Sequence, residues 1–161
     1  MNAGRRLLPY VAASAFLLVS AIASAQLISS TIPRDASLWN HVYHLARLVR
    51  LHECMRVTGT IVLKRPEKDG DIHVQLKLDK QFLPLLDAEN KARRGGNLVL
   101  EPTCVGPVTQ TDAVQPCQGL TNQVAIPKKG DHVAVTGTFV HDVEGGHGWM
   151  ELHPVTLIEP N

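Results

Sequence analysis

Aromatic side chains are scarce: two Trp, two Tyr and three Phe among 161 residues. Single-stranded nucleic acid is held by stacking bases on aromatic platforms along a positive groove. Charge of one sign is missing as well. Sixteen Lys and Arg face fifteen Asp and Glu, for a formal charge of +1. No strong electrostatic footprint for nucleic acid or anionic lipid follows from that balance. His-x-x-x-His and Cys-x-x-Cys, the spacings that mark many metal sites, do not occur. No serine sits in a nucleophile-elbow context. Cysteine is limited to Cys54, Cys104 and Cys117. An odd count permits one intrachain bridge and leaves one thiol over.

The longest apolar run lies at the start. Arg5 and Arg6 precede a mostly apolar stretch, Leu7 to Ile22, and Ala23-Ser24-Ala25 has the small-x-small form of a cleavage site. This three-part pattern predicts a secretory signal peptide over residues 1–25, and so an exported protein, periplasmic or extracellular. The alternative is an uncleaved anchor, since the run is nearly long enough to span a bilayer; membrane association is expected only in that case. Cleavage removes two cations and no acid, which takes the formal charge to −1. Residues 26–36, rich in Ser and Thr, read as a linker. The rest, 37–161, is expected to be one domain with a modest core.

Leu38, Val42, Leu45 and Val49 have helical spacing, and Asp35 or Ser37 is placed to cap a short helix there. Leu48, Val49 and Leu51 equally suit an extended lead-in. From Cys54 on, the chain alternates with a period of two. Val57, Gly59, Ile61 and Leu63 share one parity in a first strand. Asp69-Gly70 is a hairpin signal. Ile72, Val74, Leu76 and Leu78 then alternate with Asp71, His73, Gln75, Lys77 and Asp79. A third strand, 97–101, ends at Pro102, and Phe82 to Leu86 suggests one helical turn. Residues 90–96 read as a polar loop. Val133, Val135, Gly137 and Phe139 mark a fourth strand. The first three strands contain no aromatic residue, and this weakens the case for nucleic acid further.

The stretch 103–129 is long, contains Pro107, Pro116 and Pro127, and has no clean period. Such loops are uncommon unless something pins them. A bridge between Cys104 and Cys117 would close a short loop and stabilise it by roughly 3 kcal/mol on the chain-entropy model. Cys54 then serves as a small buried hydrophobe. Pairing of Cys54 with Cys104 is the alternative.

The fifth strand-like run, 147–158, carries the densest chemistry. Trp149, Glu151 and His153 share one parity, with Met150 and Leu152 on the other. After Pro154 the apolar residues are Val155 and Leu157, of opposite parity. A proline cannot donate to a ladder, so a register change is expected at His153-Pro154. Glu151 and His153 are then expected outside the core, beside the kink.

Five strands in this arrangement fit a closed barrel. The chain resembles an OB-fold in Cys-Met-Arg-Val-Thr-Gly-Thr-Ile-Val, Asp-Gly-Asp-Ile-His-Val-Gln-Leu and Gly-Asp-His-Val-Ala-Val-Thr-Gly. It is similar, more closely, to a group of exported bacterial proteins of unassigned function. That group shares the Cys-x-x-Val-Thr-Gly start at Cys54 to Gly59, the Asp-Gly-Asp-x-His strand at Asp69 to His73, and the terminal Glu-Leu/Ile-His-Pro-Val at Glu151 to Val155. The resemblance implies an all-β, five-stranded Greek-key barrel with a short N-terminal helix and strand order 1-2-3-5-4-1. That order gathers Asp71, His73, Glu101, Trp149, Glu151 and His153 into a binding surface. The loop holding Lys64, Arg65 and Lys68 and the loop holding His141 and His147 would flank it. It implies no activity.

Three uses of that surface are open. The plainest is structural, a Glu-His hydrogen bond that pins the bulge, with Asp71 or His73 completing a network. A second is a binding or accessory module for a small ligand or a protein. A third places a divalent metal on His73, Glu151 and His153, as a metal carrier or a metal-dependent enzyme. His153 oriented by Glu151 has the form of a general base. The missing nucleophile argues against catalysis, and single-stranded nucleic acid ranks below the other ligands.

Overall fold

The structure, a computed structural model, describes residues 37–161 other than Thr121. The expected signal segment and linker lie outside the described residues. Five strands carry the fold: β1 (Leu48–Pro66), β2 (Ile72–Leu78), β3 (Leu98–Leu100), β4 (His132–Asp142) and β5 (Met150–Pro160). They form one mixed sheet that closes in a ring, with neighbours in the order β1-β2-β3-β5-β4 and β4 back on β1. Among the described residues only β3 and β5 run parallel; the other pairings are antiparallel. Among the described residues no helix is long and apolar enough to cross a membrane.

Alternation places the core inside the ring. Val57, Ile61, Val74, Leu76, Val133 and Val135 come from three strands and are all buried in one cluster. Leu63 does not join them. The β1–β2 register slips between Ile61 and Leu63, and a one-residue slip turns every later side chain to the other face. Leu63 is accordingly exposed.

Gly59 and Gly137 mark close approaches of backbone. A Cβ on Gly59 would lie 2.4 Å from the Lys77 carbonyl oxygen, and one on Gly137 would lie 2.7 Å from that of Pro154. Neither backbone oxygen has room to give way. Gly137→Ala is expected to destabilise by about 1–3 kcal/mol, the usual range for overpacking, read as a lower urea midpoint at unchanged slope.

The expected helix over 37–49 does not form. Two short 3₁₀ turns, Leu38–His41 and Leu45–Arg47, stand in its place. His44 between them adopts φ 52°, a left-handed conformation that interrupts any helix. Val49 belongs to β1. The apolar residues are still used: Val42 and Leu48 bury against Val140 of β4, with Trp39 and Leu45 alongside. This small second cluster coats the outer face of the ring.

A second correction concerns 90–96. Residues Ala88–Arg93 form a short helix, α1. Asp87 accepts from Asn90 N at 2.8 Å, and the Asn90 side chain accepts from Asp87 N at 3.3 Å. This reciprocal cap nucleates the turn. Asn90 also donates to Met150 O at 3.0 Å and accepts from Met150 N at 2.9 Å, which clips α1 to the start of β5.

The segment between β3 and β4 is pinned as its composition requires. Cys104 and Cys117 lie at disulfide distance, Cα atoms 5.5 Å apart, and Cys54 is free and half-buried within β1. Gly106 N donates to Gly70 O at 2.7 Å and Thr109 N to Lys68 O at 2.8 Å. The segment therefore docks on the β1–β2 turn.

At the other end of the ring, His132 Nε2 lies 3.1 Å from the carboxylate oxygens of Asp79. Hydrogen bonding to Asp79 raises the His132 pKa above 6.5, and hydrogen bonds from Thr58 and then His132 lower that of Asp79 below 3.8. A raised histidine contributes stability that fades as pH climbs through its folded value. A lowered aspartate contributes stability that fades as pH falls through its own. The pair therefore helps fully only between about 3.8 and 6.5. It is exposed, so the effect is small. By NMR, His132 is expected to titrate above 6.5, and Asp79→Asn to bring its midpoint down.

Candidate functional site

The β5 register change creates the site. Leu152 pairs with Phe139 and Val155 with Gly137, so β5 carries one residue more than β4 across His153-Pro154, where the peptide bond is cis. Leu152 and Val155 both enter the core despite their opposite parity. A second shift between Val155 and Leu157 then brings Ile158, rather than Leu157, against the core. Glu101, just past β3, straddles the first bulge. Its N–H donates to Leu152 O at 2.9 Å and its carbonyl accepts from Val155 N at 3.2 Å.

Glu151 and His153 were expected on an exterior wall. They do lie outside the apolar core, with Glu151 opposite Val140. They are nevertheless 0 % exposed, and Trp149 is 2 % exposed. Arg47 from the lead-in segment reaches across this face, while the 101–131 segment closes it from the side of Asp71. The polar parity of β5 is an internal seam between ring and covering segments.

The side chains in the seam are densely paired. His153 Nδ1 lies 3.0 Å from Glu101 Oε2 and 3.1 Å from Glu151 Oε1, while its Nε2 lies 3.5 Å from Asp71 Oδ2. Trp149 Nε1 donates to Glu151 Oε2 at 2.9 Å. His73 Nδ1 lies 3.5 Å from Glu101 Oε1. Asp71 Oδ1 accepts from Cys104 N at 2.7 Å. Arg47 donates to Asp142, approaches Glu101 at 3.4 Å and lies 3.9 Å from Glu151. His147 Nδ1 sits 2.6 Å from Asp142 Oδ2. All six residues picked from the sequence are therefore linked in one network.

Sequence reasoning missed Arg47, Asp142, Asn90 and Arg94. Arg47 was lost inside a misread helix. Arg94, just after α1, lies with its guanidinium carbon 3.6 Å from the centre of the Trp149 ring, and the His147 ring stands 4.4 Å from the same indole. Asp142 ends β4 with no local signal beyond its charge.

The electrostatics follow from burial and neighbours. Burial would raise the Glu101 carboxyl, but His153, His73 and Arg47 outweigh it and hold Glu101 ionised well below the usual range. Burial and the adjacent Glu101 charge push Glu151 up. Burial works against a charged His153, yet Glu101 and the other carboxylates around the ring raise it well above 6.5. Burial pushes His73 below 6.5, and Glu101 offsets this in part. The surrounding acids thus favour the charged form of His153, and burial favours the neutral form of His73.

Beside the seam lies a polar cleft of about 260 Å³. Arg65 and Lys68 line it from the β1–β2 turn, His147 and Trp149 from the approach to β5, with Arg94, His73 and Glu101. Of the flanking residues expected from the sequence, Arg65, Lys68 and His147 line this cleft, while Lys64 and His141 do not. His73 Nε2 and Arg94 Nε are buried without a hydrogen-bond partner. No family model, curated protein or solved structure matches the chain.

Proposed function

We propose that this is an exported binding module of OB-fold type that takes a small acidic ligand in the cleft beside Trp149. The ring order and the parallel β3–β5 pair support the fold assignment; residues 1–25 support export. One observation carries the ligand assignment: two unsatisfied polar atoms of opposite kind belong to residues lining the same cleft. His73 is neutral and faces Glu101 through Nδ1, so its Nε2 is a free acceptor. Arg94 is a donor; the cations Arg47, Arg65, Lys68 and Arg94 line the cleft beside the acids Glu67, Asp69 and Glu101, with Arg65 paired to Glu67 at 2.7 Å. A carboxylate or similar anion with a neighbouring hydroxyl or N–H satisfies both sides.

Trp149 supports a small ligand over an oligonucleotide. It is the aromatic best placed by sequence to stack on a base, and it is buried, with Arg94 and His147 against its ring.

The reading is tested by amide and indole NMR shifts while small hydroxy acids and sugar acids are added. Saturable shifts of the Trp149 indole N–H and of the Arg94 and His73 amides, lost in Arg94→Ala, are expected. Absence of any saturable shift at millimolar concentrations, or shifts clustered elsewhere, contradicts it. Export has a separate check, since the secreted protein is expected to begin at Gln26.

A further inference from the structure

The seam holds a second pair of unsatisfied atoms, deeper than the cleft. Asp71 Oδ2 and His153 Nε2 are both buried and neither makes a hydrogen bond. They face each other at 3.5 Å. That is longer than the roughly 2.7–3.2 Å of a normal N–H···O bond. It matches two ligands of one ion. Atoms each about 2.0–2.1 Å from a tetrahedral Zn²⁺ stand roughly 3.4 Å apart.

We propose that Asp71, His153 and Glu101 form a divalent-cation site of the Zn²⁺ class, with Glu151 as the residue that orients His153. Ligand atoms of Asp71, Glu101 and His153 all lie within 4.8 Å of one another. The remaining contacts are those a metal-bound histidine needs. With Nε2 on the ion, His153 Nδ1–H donates to Glu151 Oε1 at 3.1 Å, with Glu101 Oε2 also 3.0 Å from that nitrogen, the carboxylate–histidine–metal arrangement that fixes ring and tautomer. Asp71 is held by Cys104 N through its other oxygen. Charge favours the same occupant. Asp71, Glu101, Asp142 and Glu151 are four buried carboxylates; among the described residues Arg47 and the His153 ring are paired with them, and an ion on His153 Nε2 would take the place of the proton there. Imidazole and carboxylate ligands suit Zn²⁺ and related ions.

This site differs from the set read from the sequence. Asp71 and Glu101 join His153 as ligands, Glu151 moves to the supporting position, and His73 is left to the cleft. A competing trio, Asp71 with Cys104 and Cys117, has no thiolate to offer because the two cysteines are bonded to each other. The inference stands independently of the ligand proposed for the cleft.

The test uses the full secreted protein, stripped with chelator, titrated with Zn²⁺ and dialysed before elemental analysis. One equivalent of Zn²⁺ per chain is expected, with a higher thermal midpoint. Asp71→Asn is expected to lose retained metal, and Glu151→Gln to weaken affinity by about 10–100-fold, as for outer carboxylates elsewhere. His132→Gln, on the far side of the ring, is expected to retain one equivalent. X-ray absorption on the wild-type zinc form covers the case in which Asp71→Asn fails to fold. Its expected result is a nitrogen and oxygen shell with a single imidazole. Absence of stoichiometric zinc, sulfur in the shell, several imidazoles, or loss of zinc in His132→Gln overturns the proposal.

Discussion

Arg47→Met is expected to destabilise the protein by about 3–5 kcal/mol. The methionine fills much of the same volume, so lost packing explains little of this. What remains is a set of carboxylates with no guanidinium. Asp142 and Glu151 are fully buried, and Glu101 is nearly so. An exposed ion pair broken in the same way costs about 0–1 kcal/mol, because water resolvates the survivor. Here the groups are far less accessible, with side-chain exposures of 10 % for Arg47 and 9 % for Glu101. Arg47→Lys is expected to fall between the two, since an ammonium keeps the charge but cannot fork between Asp142 and Glu101. Urea unfolding at pH 7 checks both variants. A loss below about 1 kcal/mol for Arg47→Met would mean the lead-in segment does not seal the seam.

Trp149→Ala is expected to cost about 3–5 kcal/mol, and Trp149→Phe about 1–3 kcal/mol. The two values separate two roles. Alanine removes the ring on which Arg94 rests and which His147 touches, and leaves a cavity. Phenylalanine keeps most of the ring but removes the donor to Glu151 Oε2, leaving a buried carboxylate oxygen unsatisfied. Equal losses from both would locate the indole's importance in its N–H. Denaturant midpoints decide this, and the Arg94 amide shift reports whether the cleft wall has moved.

Much of the ring was legible in the sequence, because the physics of alternation is local. Val74, Leu76 and Leu78 of β2 face the core as their parity demands, and so do Val133 and Val135 of β4. The bulge at His153-Pro154 was legible for the same reason: apolar parity flips across a residue that cannot donate. What alternation cannot report is a second covering. Glu151 and His153 have the parity and polarity of an outer wall, and they are outside the core. They are buried because residues 37–47 and the segment after β3 lie over them; the first has a misleading period and the second has none to read. Leu38, Val42 and Leu45 mimic a helix, yet His44 in a left-handed conformation breaks it into turns. The helix α1 is polar and six residues long, so its only sequence signal is Asp87-x-x-Asn90, a cap with no apolar stripe behind it. Arg47 and Asp142, 95 positions apart, meet only because β1 and β4 pair to close the ring.

Ring closure and its coverings assemble distant charges into one energetically coupled seam. A double-mutant cycle on Arg47 and Glu101 tests it most directly, because the two residues come from different elements. Arg47→Met, Glu101→Gln and the double variant are unfolded in urea at pH 7. A coupling of about 0.5–3 kcal/mol is expected, with the double variant less destabilised than the sum of the singles. Additivity within about 0.3–0.5 kcal/mol would contradict it, since independent sites behave that way.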